Sequence, residues 1–494
     1  FTQPPAEADE LNVSWLLSEG ADEYDLEWAY IDNSAYNANA YGTPGTETFK
    51  KNIFRNNASS VTVNSITHAY KIPLLYEYDG RLFFRVRAIQ LTPSGNRTET
   101  SWSDYNTFEF IPGHQANLNW QSSTSFAEEG KRKSVLQYFD GSLRNRQTVT
   151  KDNTTNTTVV AESLYDYQGR PVIQVLPSPT INTIIKHTPN FNNFLNSSAY
   201  YKDNYDKILP GNDYCNGAAP ALDAGKGGTA QYYSPQNPGK DAGNNKLIPD
   251  AKGFPYTETR YLQDNTGRVA AQGGVGPDHR LNSGHETKYF YSGADQSELD
   301  ALFGTEAGDA PHYFKNMVRD ANGQYSVSYL DMHGRTIATA LAGDLPASAK
   351  LDYLPSKQDS YLTKELTTPS NNIVKGLVIE SSKGLLVSKT GNHAFTYSLL
   401  PENVNIKNCK AEDICYSCAY TLEITISDDC GNKQFGGQPY IYKDVVGNIS
   451  TNCSNLPALF TRNFNKVLEE GSYTITKKLT IRDEAVQQYQ QAFA

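Results

Sequence analysis

A five-residue pattern, Asp-x-x-Gly-(Arg/Gln), recurs through the middle of the chain and restricts the backbone more than any other feature. It reads Asp166-Tyr167-Gln168-Gly169-Arg170, Asp264-Asn265-Thr266-Gly267-Arg268, Asp320-Ala321-Asn322-Gly323-Gln324 and Asp331-Met332-His333-Gly334-Arg335. Asp140-Gly141-Ser142-Leu143-Arg144 keeps the ends and loses the glycine. An aspartate opening a type I turn accepts a hydrogen bond from the backbone N–H two residues on. A glycine three residues later takes the positive φ that reverses the chain. Tyrosines precede most copies (Tyr138, Tyr165, Tyr261, Tyr329), and alternating apolar runs follow, as in 172–176 and 336–341. Each copy is therefore expected to be a hairpin tip, its tyrosines and arginines stacking on neighbouring hairpins.

The flanking regions read as β structure too. All four tryptophans (Trp15, Trp28, Trp102, Trp120) lie in the first quarter, which marks a separate N-terminal unit. There Leu11, Val13, Trp15 and Leu17 alternate, and strands are expected at 24–28, 61–63, 82–89 and 108–110, the spacing of a sandwich of about 100 residues. Residues 196–256 are rich in Asn, Gly, Asp, Pro and Tyr, and read as a loop insert. A short helix is expected over Ser297–Gly304. Toward the C-terminus, 420–426 and 473–481 alternate as strands, and 483–494 turns helical. With 494 residues, two to four domains are expected. The boundaries read as 1–112, 113–391 and 392–494.

Five of the six cysteines (Cys409, Cys415, Cys418, Cys430, Cys453) fall close together, and Cys215 stands apart. In a chain with 33 tyrosines and only 2 methionines, such clustering reads as disulfides formed in an oxidising compartment. Zinc bound through Cys415 and Cys418 is the competing reading, and it lacks a second C-x-x-C or a nearby histidine pair.

Nothing in the sequence has the spacing of a reaction centre. The net charge of −10, with both signs interspersed, argues against nucleic-acid binding and gives no polybasic membrane patch. No apolar run approaches the ~18–20 residues that span a bilayer, so direct membrane insertion is not expected. His279 and His285, beside Glu286, form the best histidine pair, and their spacing is not the i, i+4 arrangement of zinc hydrolases. No P-loop, dinucleotide fingerprint or nucleophile elbow occurs. Adjacent carboxylates such as Glu128-Glu129 and Asp428-Asp429 suit turns or weak Ca²⁺ binding better than glycoside hydrolysis. The expectation is a non-enzyme with no catalytic, cofactor or metal residues.

Two resemblances sharpen this reading. Leu11–Trp15, Tyr24–Trp28 and Phe84–Ala88 resemble a fibronectin type III module over 1–112. Leu82 stands where such modules carry a tyrosine, and the first strand shrinks to Phe1–Pro5, as if the chain began inside a longer protein. Tyr165-Asp166-Tyr167-Gln168-Gly169-Arg170 resembles the unit of YD-repeat (rearrangement-hot-spot) proteins. Residues 129–133, 138–146, 284–289 and 314–330 resemble the segment preceding such repeats in large surface proteins exported by type 9 secretion. The resemblance implies an all-β chain: a fibronectin III-like sandwich, then a sheet of antiparallel hairpins, then a small disulfide-containing sandwich. It further implies an extracellular, cell-surface scaffold or shell that carries a downstream effector or toxin domain. The type 9 translocon and outer-membrane accessory proteins would be its partners. A surface adhesin, binding glycan or protein through the N-terminal sandwich and its Tyr/Asn-rich loops, is the alternative.

Overall fold

The chain is all-β, with strands paired antiparallel in the N-terminal sandwich, along the hairpin array and in the C-terminal sheet. The computed structural model describes residues 10–494 except 113, 195–217, 263, 343–365, 368–370, 388, 401–402, 408–409, 412, 418, 447–458 and 494. Two compact units emerge. The first comprises Phe1–Pro210, Ala219–Glu258 and Val275–Pro277; the second comprises Gly211–Ala218, Thr259–Gly274 and Asp278–Ala494.

The first unit opens with a sandwich. Strands β1 (Glu10–Ser14), β2 (Glu23–Asp32), β3 (Ala58–Asn64), β4 (Ala69–Pro73), β5 (Gly80–Leu91), β6 (Arg97–Glu99) and β7 (Asn106–Phe110) form two sheets, β1–β4 and β3–β2–β5–β6, with β7 also on β5. Leu11 and Val13 of β1 face Tyr24, Leu26 and Trp28 of β2 and Leu82 and Phe84 of β5 across a continuous core. Trp15 and Leu17, expected to continue the alternation of β1, lie beyond its end, and Leu17 is exposed.

Between β2 and β3 come two helices, α1 (Asn33–Asn37) and α2 (Glu47–Asn57), which the sequence reading did not anticipate. Thr46 caps α2 by accepting from Phe49 N–H at 3.2 Å, and Phe49, Ile53 and Phe54 pack on Ala29, Ile31 and Phe83. That second buried face explains why β2 and β5 are apolar on both sides where a half-exposed strand would alternate.

Next, β8 (Asn119–Phe126), β9 (Arg132–Phe139), β10 (Asn145–Asp152), β11 (Thr157–Tyr165), β12 (Pro171–Thr180) and β13 (Tyr256–Tyr261) pair in chain order. The insert before β13 carries the short helix α3 (Gly228–Tyr232) and packs Phe194, Leu222 and Ala230 against Leu164, Ile173 and Val175. Tyr256 Oη donates to the carbonyls of Ala219 and Pro220, both at 2.9 Å, and ties the insert to β13.

In the second unit the sequential order runs from β13 through β14 (Val269–Gly273), β15 (Thr287–Gly293), β16 (Phe314–Arg319), β17 (Tyr325–Leu330) and β18 (Thr336–Ala342). Helix α4 (Gln296–Phe303) sits between β15 and β16 and buries Leu299 among Phe290, Met317, Val327 and Tyr329. The remaining strands are β19 (Ile373–Lys375), β20 (Val378–Val387), β21 (Gly391–Leu399), β22 (Asn403–Lys407), β23 (Asp413–Ser417), β24 (Tyr420–Asp428), β25 (Tyr440–Val446), β26 (Phe460–Leu468) and β27 (Gly471–Ile481), followed by helix α5 (Asp483–Phe493).

They form a five-stranded sheet, β19–β20–β27–β24–β25, with separate pairs β21–β26 and β22–β23. Strands β19 and β20 thus belong with this C-terminal sheet, although they precede the expected boundary at 391. Ten residues of β20 register against β27, from Val378 opposite Thr480 to Val387 opposite Gly471.

Candidate functional site

The Asp-x-x-Gly copies form the connections β9–β10, β11–β12, β13–β14, β16–β17 and β17–β18. At Asp166, one carboxylate oxygen (Oδ1) accepts from the backbone N–H of Gln168 and Arg170, both at 2.9 Å. The other (Oδ2) accepts from Arg170 Nε at 2.7 Å. Backbone bonds close the turn beneath it, Asp166 N–H to Arg170 O and Gly169 N–H to Asp166 O, each 2.9 Å. Asp331 repeats the arrangement with His333 N–H, Arg335 N–H and Arg335 Nε at 2.9, 3.0 and 2.7 Å. At Asp264 the Thr266 N–H (3.0 Å) and Arg268 Nη2 (2.7 Å) fill the same roles. Asp320 receives Asn322 and Gln324 N–H at 2.9 and 2.8 Å, and Gln324 turns its amide toward the carbonyls of Tyr325 and Ala342.

Gly169, Gly267, Gly323 and Gly334 all lie at φ between +74° and +85°. In the copy without glycine, Leu143 is forced to φ +60°, and its side chain is exposed. Asp140 still accepts from Ser142 and Arg144 N–H, and its Oδ2 gathers both Arg144 and Arg146.

Electrostatics follow from this geometry. Burial alone would raise the Asp140 carboxyl, but the Arg144 and Ser142 amides and the Arg146 guanidinium outweigh it and hold it below the ordinary range. At Asp264 burial is likewise outweighed, by the Thr266 hydroxyl and Arg268. For Asp331 the Arg335 backbone N–H is the leading cause of the lowering. Every motif aspartate is thus committed to its own turn as an acceptor, which is a structural use of a carboxylate.

The arginines also reach the adjacent hairpin. Arg144 and Arg146 lie over the Tyr165 ring, 5.3 and 4.9 Å from its centroid, and Tyr165 Oη donates to Asn145 O at 2.9 Å. In the second unit Arg268 lies 4.6 Å from the Tyr291 centroid, while Tyr291 Oη donates to Val269 O at 2.9 Å. Each such contact contributes about 1 kcal/mol when partly shielded from water.

A sixth clamp forms at a run that reads as a turn in the sequence but stands outside the motif set, because its fifth residue is neither Arg nor Gln. In Asp428-Asp429-Cys430-Gly431-Asn432, the Asp428 carboxylate accepts from Cys430 and Asn432 N–H at 2.9 and 2.5 Å, and Gly431 lies at φ +66°. The offset Asp-x-x-Gly was the signal that could have found it.

This turn borders a cleft of about 370 Å³ within the second unit, lined among others by Arg260, Lys288, Gln434, Glu469, Glu470 and Tyr473. Burial, with Asp428 alongside, pushes the Asp429 carboxyl up to about 6. Glu470 is committed to Lys288 Nζ (2.9 Å) and Tyr325 Oη (2.8 Å). Cys430 is disulfide-bonded. Cys215, Cys409, Cys418 and Cys453 lie outside the described residues, as does the side chain of Cys415.

The His279 and His285 rings meet edge to face at 6.1 Å, and His285 Nδ1 lies 2.9 Å from Ala321 O. Glu286 beside them accepts Gly284 N–H at 2.8 Å. Among the described residues no group of three or more His, Cys, Asp or Glu side chains is placed to hold a metal ion. Among the described residues no helix is long and apolar enough to cross a membrane.

Residues 114–216 match the model of a family described as a domain of unknown function (DUF6443), a match covering less than half of the chain. No curated protein matches. Among solved structures, exo-β-1,3-galactanase of Phanerochaete chrysosporium with β-1,3-galactotriose aligns over 82% of this chain and 94% of its own at 6% identity, with a TM-score of 0.09. The same enzyme with galactose aligns over 81% and 93% at 7% identity, again at 0.09. Scores this low carry no statement about fold or activity.

Proposed function

We propose that the chain is a non-catalytic structural segment of a large secreted cell-surface protein of the YD-repeat type, a scaffold or shell that carries an effector or toxin domain and leaves the cell by type 9 secretion. The observation that supports this most is the clamped tip. Each Asp-x-x-Gly carboxylate is spent on its own turn, and the hairpins between the tips pair in strict chain order. An array of that kind grows by adding one hairpin to the last, which suits a sheet that must wall off space. The translocon and its outer-membrane accessory proteins would be the export partners.

The test is surface labelling of intact cells that produce the full-length polypeptide containing this chain, with and without the outer-membrane translocon. Labelling by an antibody to this chain is expected only when the translocon is present. Equal labelling in both strains, or retention of the chain in the cytoplasm of both, would overturn the proposal.

One observation favours the adhesin reading as a second possibility. The strand registers put the loops after β1, β3 and β5 at one end of the N-terminal sandwich. There Leu16 is 93% exposed and Ile66 86%, with Leu17 also in solvent. Exposed aliphatics grouped on loops mark a binding surface. Retention of the chain on a glycan or host-protein array, lost in a Leu16→Ser, Ile66→Ser double variant, would support it, and absence of any retention would count against it.

A further inference from the structure

Lys477 occupies a position where the inner face of a sheet should be apolar. Along β27 the residues Tyr473, Ile475, Lys477 and Leu479 point the same way, and all four are buried, Lys477 at 9% exposure. Its register partners are Ser381 on β20 and Ile424 on β24. Ser381 is 1% exposed, and its hydroxyl makes no hydrogen bond among the described residues.

The β19–β20 register, in which Ile373 stands opposite Glu380, places Asn372 opposite Ser381 when continued by one residue. Asn372, Ser381 and Lys477 therefore form a row across three chain segments on one face. Neighbouring strands lie ~4.8 Å apart, so the outer two backbones are separated by about 10 Å. A lysine stem and an asparagine side chain together bridge that distance only because the residue between them is as small as serine. They do meet: Lys477 Nζ donates to Asn372 Oδ1 at 2.7 Å.

A buried ammonium is normally matched by a carboxylate. Here the contact is a neutral primary amide. Burial holds Lys477 below the usual lysine range, which makes the uncharged amine accessible in the folded protein. A buried lysine amine held 2.7 Å from the side-chain oxygen of a half-buried asparagine has the proximity that amide exchange requires.

We propose that Lys477 and Asn372 become joined by an intramolecular amide cross-link after folding. Lys477 Nζ attacks Asn372 Cγ, the Nζ–Cγ bond forms and the Cγ–Nδ2 bond breaks. Nδ2 leaves as ammonia with the proton that the lysine amine gives up. The Ser381 hydroxyl, which bonds neither reactant, takes no part in the transfer. Atoms balance without oxidant, reductant or cofactor: amine plus primary amide gives secondary amide plus ammonia. The product would lock the edge of the C-terminal sheet to β27, closing a chain segment of 105 residues. The inference does not depend on the function proposed above.

The experiment is intact-mass measurement of the purified, reduced chain, followed by protease digestion and sequencing of the fragments. The expected mass is lower than the sequence mass by one ammonia, with a branched peptide joining Lys477 to Asn372. Lys477→Arg and Asn372→Ala should both restore the sequence mass. Folded wild-type chain that keeps its full sequence mass after prolonged incubation overturns the cross-link. So does ammonia loss without the branched peptide, the result expected if another asparagine had merely cyclised.

Discussion

Replacing Asp166 by alanine removes the acceptor of three hydrogen bonds at one hairpin tip while leaving the strands intact. The Asp166 and Arg170 side chains are 8% and 16% exposed, so water cannot fully replace what is lost. Two backbone N–H groups without an acceptor cost about 1 kcal/mol each, and the charge-assisted Arg170 bond adds about 1 kcal/mol, giving about 3 kcal/mol in all. Asp166→Asn is the informative control. Its side-chain oxygen can still accept from Gln168 and Arg170 N–H, so only the charge assistance is lost, about 1 kcal/mol. Native-state hydrogen exchange reads the tip directly, through the amides of Asp166 and Gly169 that bond across it. At 1.4 kcal/mol per tenfold change, exchange at these amides should quicken about 100-fold in the alanine variant and by about a factor of five in the asparagine variant. If the two variants behave alike, or if neither moves these amides, the carboxylate does not hold the turn and the reasoning fails.

The copy that lost its glycine offers the reverse experiment. Leu143 sits at φ +60° with its side chain in solvent, so Leu143→Gly relieves backbone strain without losing packing and should stabilise that tip by about 0.5–1 kcal/mol. Slower exchange of the Asp140 amide checks it; faster exchange would contradict it. The pH dependence of the tips has a defined sign. Asp140, Asp264 and Asp331 titrate below their ordinary values when folded, so their contribution is fully present above the unfolded carboxyl value of about 4 and is lost as pH falls through the lowered folded values. Amide resonances of Ser142, Thr266 and Arg335, each donating to a motif aspartate, should therefore hold steady from neutral pH down to about 4 and shift below it. Shifts of those amides near pH 6 would mean that the carboxylates are not the clamps.

The tips were legible in the sequence because their interactions are local. Aspartate, amide, glycine and guanidinium lie within five residues of one another, so the order of residues alone specifies the bonds. Alternating strands such as Tyr420–Asp428 and Gly471–Ile481, and the terminal helix Asp483–Phe493, were legible for the same reason of short period. What required the tertiary structure were partners far apart in the chain. Helix α2 is held by Phe49, Ile53 and Phe54 against a strand face whose double burial no local pattern announces. Strand β20 joins β27 rather than the hairpins that precede it, because long-range pairing is chosen by the burial of whole faces and not by neighbours in sequence. The approach of Lys477 to Asn372 exists only once three segments are laid side by side, with a serine small enough to let the lysine pass.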